Sequence, residues 1–311
     1  MKIHTNLNKF PVQKPVVTIG IFDGVHIGHK KVIKRLIKLS REVNGESVLI
    51  TFWPHPRSVL NFNHTNLKYL NTLEEKKLII ERTGIDHLVI VPFTPEFSKL
   101  SPDDFIKEIL VNKIGIKYFV IGFNHQFGKN REGNINNLKE LGIRYKFKVE
   151  QLDAEIVEEE MVSSTNIRDA LEAGDLEKAN KYLGYDFFMD GKIVGGERVG
   201  RSIGFPTANI QVSDIYKLIP KNGVYAVEVL INKEYYKGML NIGIRPTINH
   251  PVQSKSIEVH IIDFNQNIYD QTLTIFLKKR IRDEKKFQNS EMLVWQLIKD
   301  KEEVIKIFNK A

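Results

Sequence analysis

The kind of apolar patterning changes part-way along this 311-residue chain, and that change limits its fold more than any other feature. Through about residue 184, β-type apolar runs alternate with amphipathic stretches of helical period, the pattern of βαβ units on a parallel sheet. Residues 16–21 read as a buried strand, and residues 30–43 as a helix with Val32, Ile33, Leu36, Ile37 and Val43 on one face. Further strands are expected at 47–52, 87–92 and 118–121. Between them, Thr72 and Glu75 have the spacing of a capping box for a helix to about Thr83, and Ser101-Pro102 opens another helix. Residues 164–183 are helical, interrupted at Gly174-Asp175 and stopped by Gly184. Beyond them, runs at 207–212, 225–231, 235–242, 256–262 and 272–276 read as strands with no helix between. They predict an antiparallel sheet or small barrel, with a hairpin turn at Asn232-Lys233 and a terminal helix whose core-facing stripe is Leu293, Val294, Leu297 and Ile298.

Two domains, 1–184 and 185–311, are therefore expected, and the length points the same way. With 42% hydrophobic and 27% charged residues, the chain falls among ordinary soluble globular proteins. It has no cysteine, hence neither a disulfide framework nor a thiolate metal site, and a cytoplasmic location is the expectation. The first residues lack the apolar core of an export signal, and no stretch approaches the roughly 18 apolar residues of a spanning helix, so no membrane partner is expected. The net charge of +8 suits a nucleic acid, a polyanionic small molecule or a solvated lysine-rich surface alike. The basic residues are scattered rather than gathered into a block, so charge alone does not decide among these partners, and homo-oligomerisation is left open.

Directly after the first strand comes Gly20-Ile21-Phe22-Asp23-Gly24-Val25-His26-Ile27-Gly28-His29, in which two histidines flank a glycine as the chain enters a basic helix. Amides at a helix N-terminus point at an anion, glycine lets the backbone approach it, and imidazoles donate to oxygens that gain charge. The C-terminal end of a parallel strand is also where open α/β sheets bind ligands. A bare H-x-G-H also arises in ordinary turns. The second half opens with Gly191, Gly195, Gly196, Gly200 and Gly204 ahead of Pro206-Thr207-Ala208-Asn209. Such a run is either a flexible connector or a loop closing over phosphate and metal.

The ten-residue run resembles the nucleotidyltransferase signature, and its F-D-G-V-H form resembles the FMN adenylyltransferase module of bacterial FAD synthetases. Segments 51–56 (T-F-W-P-H-P), 122–128 with Arg131, and Ser163-Ser164-Thr165-Asn166-Ile167-Arg168 follow in that family's order. The resemblance implies that His26 and His29 stabilise phosphates in the transition state, that Gly20, Phe22, Asp23, Gly28, Ser163, Ser164, Thr165 and Arg168 bind ATP, and that Asn124 and Arg131 bind FMN. Taken alone, S-S-T is an N-cap. The family's loop has phenylalanine after its Asn or Asp, whereas here His125 and Gln126 follow Asn124. His55, flanked by prolines, reads as a loop-shaping residue.

The stretch from Gly200 to Asn209 resembles the riboflavin kinase signature, with further matches at 222–225, 241–247 and 256–261. It implies that Thr207 and Asn209 hold Mg²⁺ with ATP, that Glu258 is the catalytic base, and that Gly200, Arg201, Gly204, Pro206, Tyr225, Asn241, Arg282 and Phe287 line the ATP and flavin sites. Taken alone, Glu258 is an exposed glutamate on a half-solvated strand. The expectation is thus an α/β plus all-β chain: a Rossmann-like H-x-G-H nucleotidyltransferase domain, then a small antiparallel barrel with a terminal helix. It would turn riboflavin into FMN and FMN into FAD with ATP and Mg²⁺. A chain with one active domain, and a basic nucleotide- or RNA-binding protein on the same scaffold, are the alternatives.

Overall fold

The computed structural model describes residues 1–7, 10–60, 68–123, 128, 133–157, 160–196, 199–245 and 254–310. Asn124, His125, Gln126 and Arg131 lie outside the described residues. The chain divides into two compact units, Met1–Ser164 and Thr165–Ala311.

The first unit is built on six parallel strands, β1 (Lys2–His4), β2 (Val16–Ile19), β3 (Ser47–Trp53), β4 (His87–Pro92), β5 (Tyr118–Ile121) and β6 (Lys148–Gln151), in the order β1-β4-β3-β2-β5-β6. The helices are α1 (Ile27–Glu42), α2 (Pro56–Val59), α3 (Leu73–Glu81), α4 (Pro102–Phe105), which runs on as a π-helix over Ile106–Ile114, and α5 (Ile135–Tyr145). A short hairpin of β7 (Ile156–Val157) and β8 (Glu160–Met161) follows. The four central strands are the four apolar runs of the sequence; Val17, Val48, Leu49, Ile50, Leu88, Phe119 and Val120 are at most 1% exposed, as strands covered on both faces must be. The edge strands carry no such run: β6 reads Lys-Val-Glu-Gln and is half exposed. From β2 the chain winds through β3 to β4 on one side, then returns to place β5 and β6 on the other. The reversal between β2 and β5 is a topological switch point, where open sheets of this kind have their crevice.

The second unit begins at the second residue of α6 (Ser164–Ala173), continues with α7 (Leu176–Leu183), and has a closed antiparallel barrel at its centre. The strands β9 (Phe188–Val194), β10 (Ala208–Val212), β11 (Gly223–Ile231), β12 (Glu234–Arg245), β13 (Ser254–Ile261) and β14 (Thr272–Arg282) close in the order β10-β13-β12-β11-β14-β9. A single turn of helix, α8 (Val199–Ser202), and the long α9 (Ser290–Lys310) complete it. The break between α6 and α7 falls at Gly174, with Asp175 capping α7. The Asn180 side chain ties α7 to the barrel, accepting from the Phe187 amide at 2.8 Å and donating to the Leu277 carbonyl at 3.0 Å. Residues 165–183, assigned from sequence to the N-terminal domain, thus pack with the barrel. Asn232 and Lys233 turn β11 into β12 with φ of 50° and 68°, as a type I′ hairpin requires. In α9, Leu297 and Val304 pack on Ala226 and Met239. Ile298, expected in that stripe, is 45% exposed, because the helix turns this position away from the barrel.

Candidate functional site

The turn after β2 stands at the switch point. Its backbone is left-handed at Phe22 (φ 50°), Gly24 (82°) and Val25 (35°). Gly24 adopts this without penalty, while Phe22 and Val25 are held there by burial, at 3% and 0% exposure. The Gly20 amide donates to the Ile50 carbonyl at 3.0 Å, anchoring the start of the turn to β3. His26 is the N-cap of α1, its Nδ1 accepting the His29 amide at 3.3 Å. Nδ1 is therefore the acceptor nitrogen, and the neutral ring carries its proton on Nε2. The first turn of α1 holds no acidic residue, so the positive end of the helix stays available to an anion. The two imidazoles stack with centroids 3.6 Å apart. A Cβ at Gly28 would come within 3.2 Å of the His26 ring, a tight approach that the glycine avoids.

Burial pushes the His26 pKa down to about 4 against the attraction of Asp23, with Lys30 adding to the fall. His29 lies well below the ordinary imidazole range through burial and the charges of His26 and Lys76. Its Nδ1 is shielded from solvent and has no hydrogen-bond partner among the described residues. Both rings are thus neutral near pH 7, each with one N–H to donate. The Phe22 ring meets His29 edge-on at 5.1 Å.

Asp23 has an anchoring position: its Oδ1 accepts the amides of Leu70 at 2.9 Å and Asn71 at 3.4 Å, and its carbonyl accepts the Ser164 hydroxyl at 2.8 Å. The structure thereby brings Ser164 to the H-x-G-H turn, with Ser163 the residue before it in the chain. Thr165 (exposed) and Arg168 (half-buried) follow on α6. His55 caps α2 through Nδ1, which accepts the Arg57 amide at 3.1 Å, and stacks on Tyr69; its place is that of a loop-shaping residue. Sequence reasoning passed over Lys76, which is 2% exposed and donates from Nζ to the Ile21 carbonyl within the turn.

In the barrel, strand register gathers residues that are far apart in the chain. Glu258 on β13 stands across from Asn209 on β10 and from Asn241 on β12. The row continues through Val224 on β11 to Arg282 on β14. Residues of one row share a face of the sheet. Ala226 and Met239, two positions along, are covered by α9, so the row lies on the outer face of the barrel beside that helix. The Thr207 hydroxyl, just ahead of β10, donates to Glu258 Oε2 at 3.4 Å. Glu258 is half-buried between Ile257 and Val259, both of which point into the interior.

Arg282 is braced by α9: Nη2 and Nε donate to the Asp300 carboxylate at 2.7 and 3.0 Å, and Gln296 adds a third donor at 2.9 Å. The Phe287 ring lies 5.9 Å from the guanidinium. Gly200 and Arg201 lie in α8 and Gly204 follows it, Arg201 being exposed. The Pro206 carbonyl accepts from His260 Nδ1 at 2.8 Å. Tyr225 is not brought to the row: it points to the opposite face of β11, fully buried, with its hydroxyl donating to the Lys221 carbonyl. An apolar groove of about 350 Å³ runs between Ile203 and α9, lined by Val294, Trp295 and Ile298 with Ser290 and Glu291. Sequence reasoning gave Trp295 no role, since one exposed aromatic on a helix carries no signal of a groove.

The family model described as FAD synthetase matches residues 10–166, and the one described as riboflavin kinase matches residues 183–308. The bifunctional riboflavin kinase/FMN adenylyltransferase of Buchnera aphidicola from Schizaphis graminum is 41% identical, over 94% of this chain and 94% of that protein. That of Listeria monocytogenes is 39% identical, over 98% and 94%. The chain belongs to the bifunctional riboflavin kinase/FMN adenylyltransferase family. Its parallel-sheet unit carries the adenylyltransferase match, its barrel unit the kinase match. A crystal structure from Streptococcus pneumoniae, named as a macrolide-efflux protein, shares the fold with a TM-score of 0.87 and 30% identity, over 96% of this chain and 97% of that one. Among the described residues no helix is long and apolar enough to cross a membrane.

Proposed function

We propose that the turn after β2 carries adenylyl transfer and that the Glu258 row carries riboflavin phosphorylation. As a member of its family the chain makes FMN from riboflavin and ATP, then FAD and pyrophosphate from FMN and ATP. The observation that carries the division of roles is the convergence of Thr207, Asn209, Asn241 and Glu258 on one face of the barrel.

In the kinase reaction Glu258 accepts the proton of the riboflavin 5′-hydroxyl as that oxygen attacks the γ-phosphorus of ATP. The groups beside it, the Thr207 hydroxyl and the amides of Asn209 and Asn241, together with this single carboxylate fit Mg²⁺, which takes hard oxygen ligands and few carboxylates. No cluster of three acidic or histidine side chains stands among the described residues to favour another metal. Thr207 and Asn209 would hold the ion, which when bound neutralises the charge of the phosphates. Trp295, Val294 and Ile298 offer the flavin ring an apolar wall, and Arg282 with Phe287 closes on its edge.

In the adenylyltransferase reaction the FMN phosphate attacks the α-phosphorus of ATP and pyrophosphate leaves. His26 and His29 donate N–H groups to phosphate oxygens as charge builds, the first amides of α1 join them, and Ser163, Ser164, Thr165 and Arg168 take the triphosphate. Neither imidazole acts as a nucleophile. Asn124 and Arg131 would meet the FMN. With ATP as a substrate of both reactions, the cytoplasm is the proposed location, and small polyanions account for the basic charge with no nucleic acid or membrane partner.

Incubation with riboflavin, ATP and Mg²⁺, resolved by chromatography, tests the whole reading. FMN and FAD both accumulating is the expected result; FMN alone would remove the adenylyltransferase half, and neither product would remove the proposal.

A further inference from the structure

Lys76 is a buried cation that the scheme above leaves without a task. It sits on α3, whose start is pinned by the reciprocal capping of Thr72 and Glu75. Its side chain reaches under the turn after β2, where Nζ donates to the Ile21 carbonyl at 2.8 Å and lies 5.6 Å from the Trp53 ring centroid. The same carbonyl accepts the Thr51 hydroxyl of β3 at 3.1 Å. One backbone oxygen of the turn is thus clamped from two elements. Among the described residues that carbonyl is the ammonium's single acceptor and no carboxylate lies within ion-pair distance of it. The neighbouring Lys77 shows the ordinary alternative, paired at 2.7 Å with Glu74 at the surface.

Enclosing an ammonium with no close ion pair, only the longer-range pull of Asp23, is costly, and a methionine or leucine would fill the same space more cheaply. The hydrogen bond to Ile21 could be replaced at less cost, so the retained charge calls for a further reason. An anion arriving at the turn supplies one, because the ammonium lies beneath the loop that ends in two neutral imidazoles. Burial lowers the Lys76 pKa to about 8 against the pull of Asp23, and the field of Lys76 in turn helps keep His29 neutral.

We propose that Lys76 is a positioning residue of the adenylyl-transfer site, clamping the Ile21 carbonyl and supplying a fixed positive charge beneath the loop that receives the triphosphate. This rests on the assignment of the H-x-G-H turn to ATP. Among the described residues the charged or titratable groups that interact electrostatically with Lys76 are Asp23 of the turn and His29 of α1, which also feels His26; from β3 the Trp53 ring and the Thr51 hydroxyl stand beside it.

The test uses the full chain with Lys76→Met and Lys76→Arg, measuring FAD formation from FMN and ATP, riboflavin phosphorylation in the same preparation, and thermal unfolding. Lys76→Met is expected to lower kcat/KM for ATP in FAD formation by about 100-fold, the loss typical of one preorganised donor. Phosphorylation of riboflavin and the unfolding temperature stay at native values, and Lys76→Arg recovers most of the loss. The native kcat/KM falls as pH rises through about 8, and Lys76→Met lacks that limb because kcat/KM reports groups of the free enzyme. A loss under about threefold in Lys76→Met overturns the proposal. An equal loss in both variants, or an alkaline limb that survives in Lys76→Met, also overturns it. Native FAD formation by His29→Ala would instead overturn the assignment of the turn, which separates the two failures.

Discussion

Replacing Glu258 by glutamine changes one oxygen to nitrogen and removes the base from the barrel site while leaving its shape. The side chain is half-buried and forms no ion pair among the described residues, so the folded state has little to lose. The Thr207 hydroxyl, now 3.4 Å from Oε2, retains an acceptor in the amide oxygen. What disappears is the group that takes the 5′-hydroxyl proton, and a positioned general base contributes about 10²- to 10⁴-fold, or roughly 3–5 kcal/mol of barrier. Because the proton moves only in the transition state, the loss falls on kcat, with KM for riboflavin near its native value. The assay is steady-state FMN formation, run beside FAD formation from supplied FMN, which uses the other unit and serves as the internal control. A fall in FMN formation below about tenfold, or an equal fall in both reactions, refutes the assignment.

Three further outcomes are expected. His26→Asn keeps the cap of α1 but removes a ring whose folded pKa is about 4 against roughly 6.5 unfolded. The unfolded state binds more protons between those values, so the native chain loses stability as pH falls from 6.5 toward 4, by about 3 kcal/mol for this residue; urea midpoints of the variant should fall less over that window, and parallel curves would refute the point. Asp300→Ala strands the Arg282 guanidinium and the Gln296 amide around a carboxylate that is 2% exposed. It should cost the barrel unit about 3 kcal/mol, read by urea unfolding followed through Trp295 fluorescence in a Trp53→Phe background, and a shift under about 1 kcal/mol would mean that the pair is not sequestered. Trp295→Ala should raise KM for riboflavin about tenfold through lost ring contact, leaving FAD formation from FMN unchanged; an unaltered KM would clear the groove of flavin.

Features made by residues close together in the chain were legible in the sequence. Thr72 and Glu75 cap each other as their spacing predicts, the helices part at Gly174 and Asp175, and Asn232-Lys233 turns a hairpin. The H-x-G-H turn, too, is a local object, because one short segment supplies the strand end, the glycines and the helix N-terminus. The four buried strands were plain because strands covered on both faces must be apolar throughout. The edge strands β1 and β6 had no such requirement and left no mark.

The row Asn209–Glu258–Asn241 belongs to the other class. Each residue alone reads as a polar position on a half-solvated strand, and only the register of β10, β13 and β12 sets them side by side. Tyr225 shows the converse, since its neighbourhood in sequence suggests the site while the pleat of β11 turns it into the core. Likewise nothing local separates Lys76 from Lys77; the angle at which α3 meets the turn buries one and leaves the other at the surface. The sequence by itself determined the strand-to-helix turn, the caps and the two kinds of sheet, all set by chain neighbours. Tertiary structure decided which side chains meet across strands and which charge is shut away from water, because both depend on contacts between segments that no local pattern encodes.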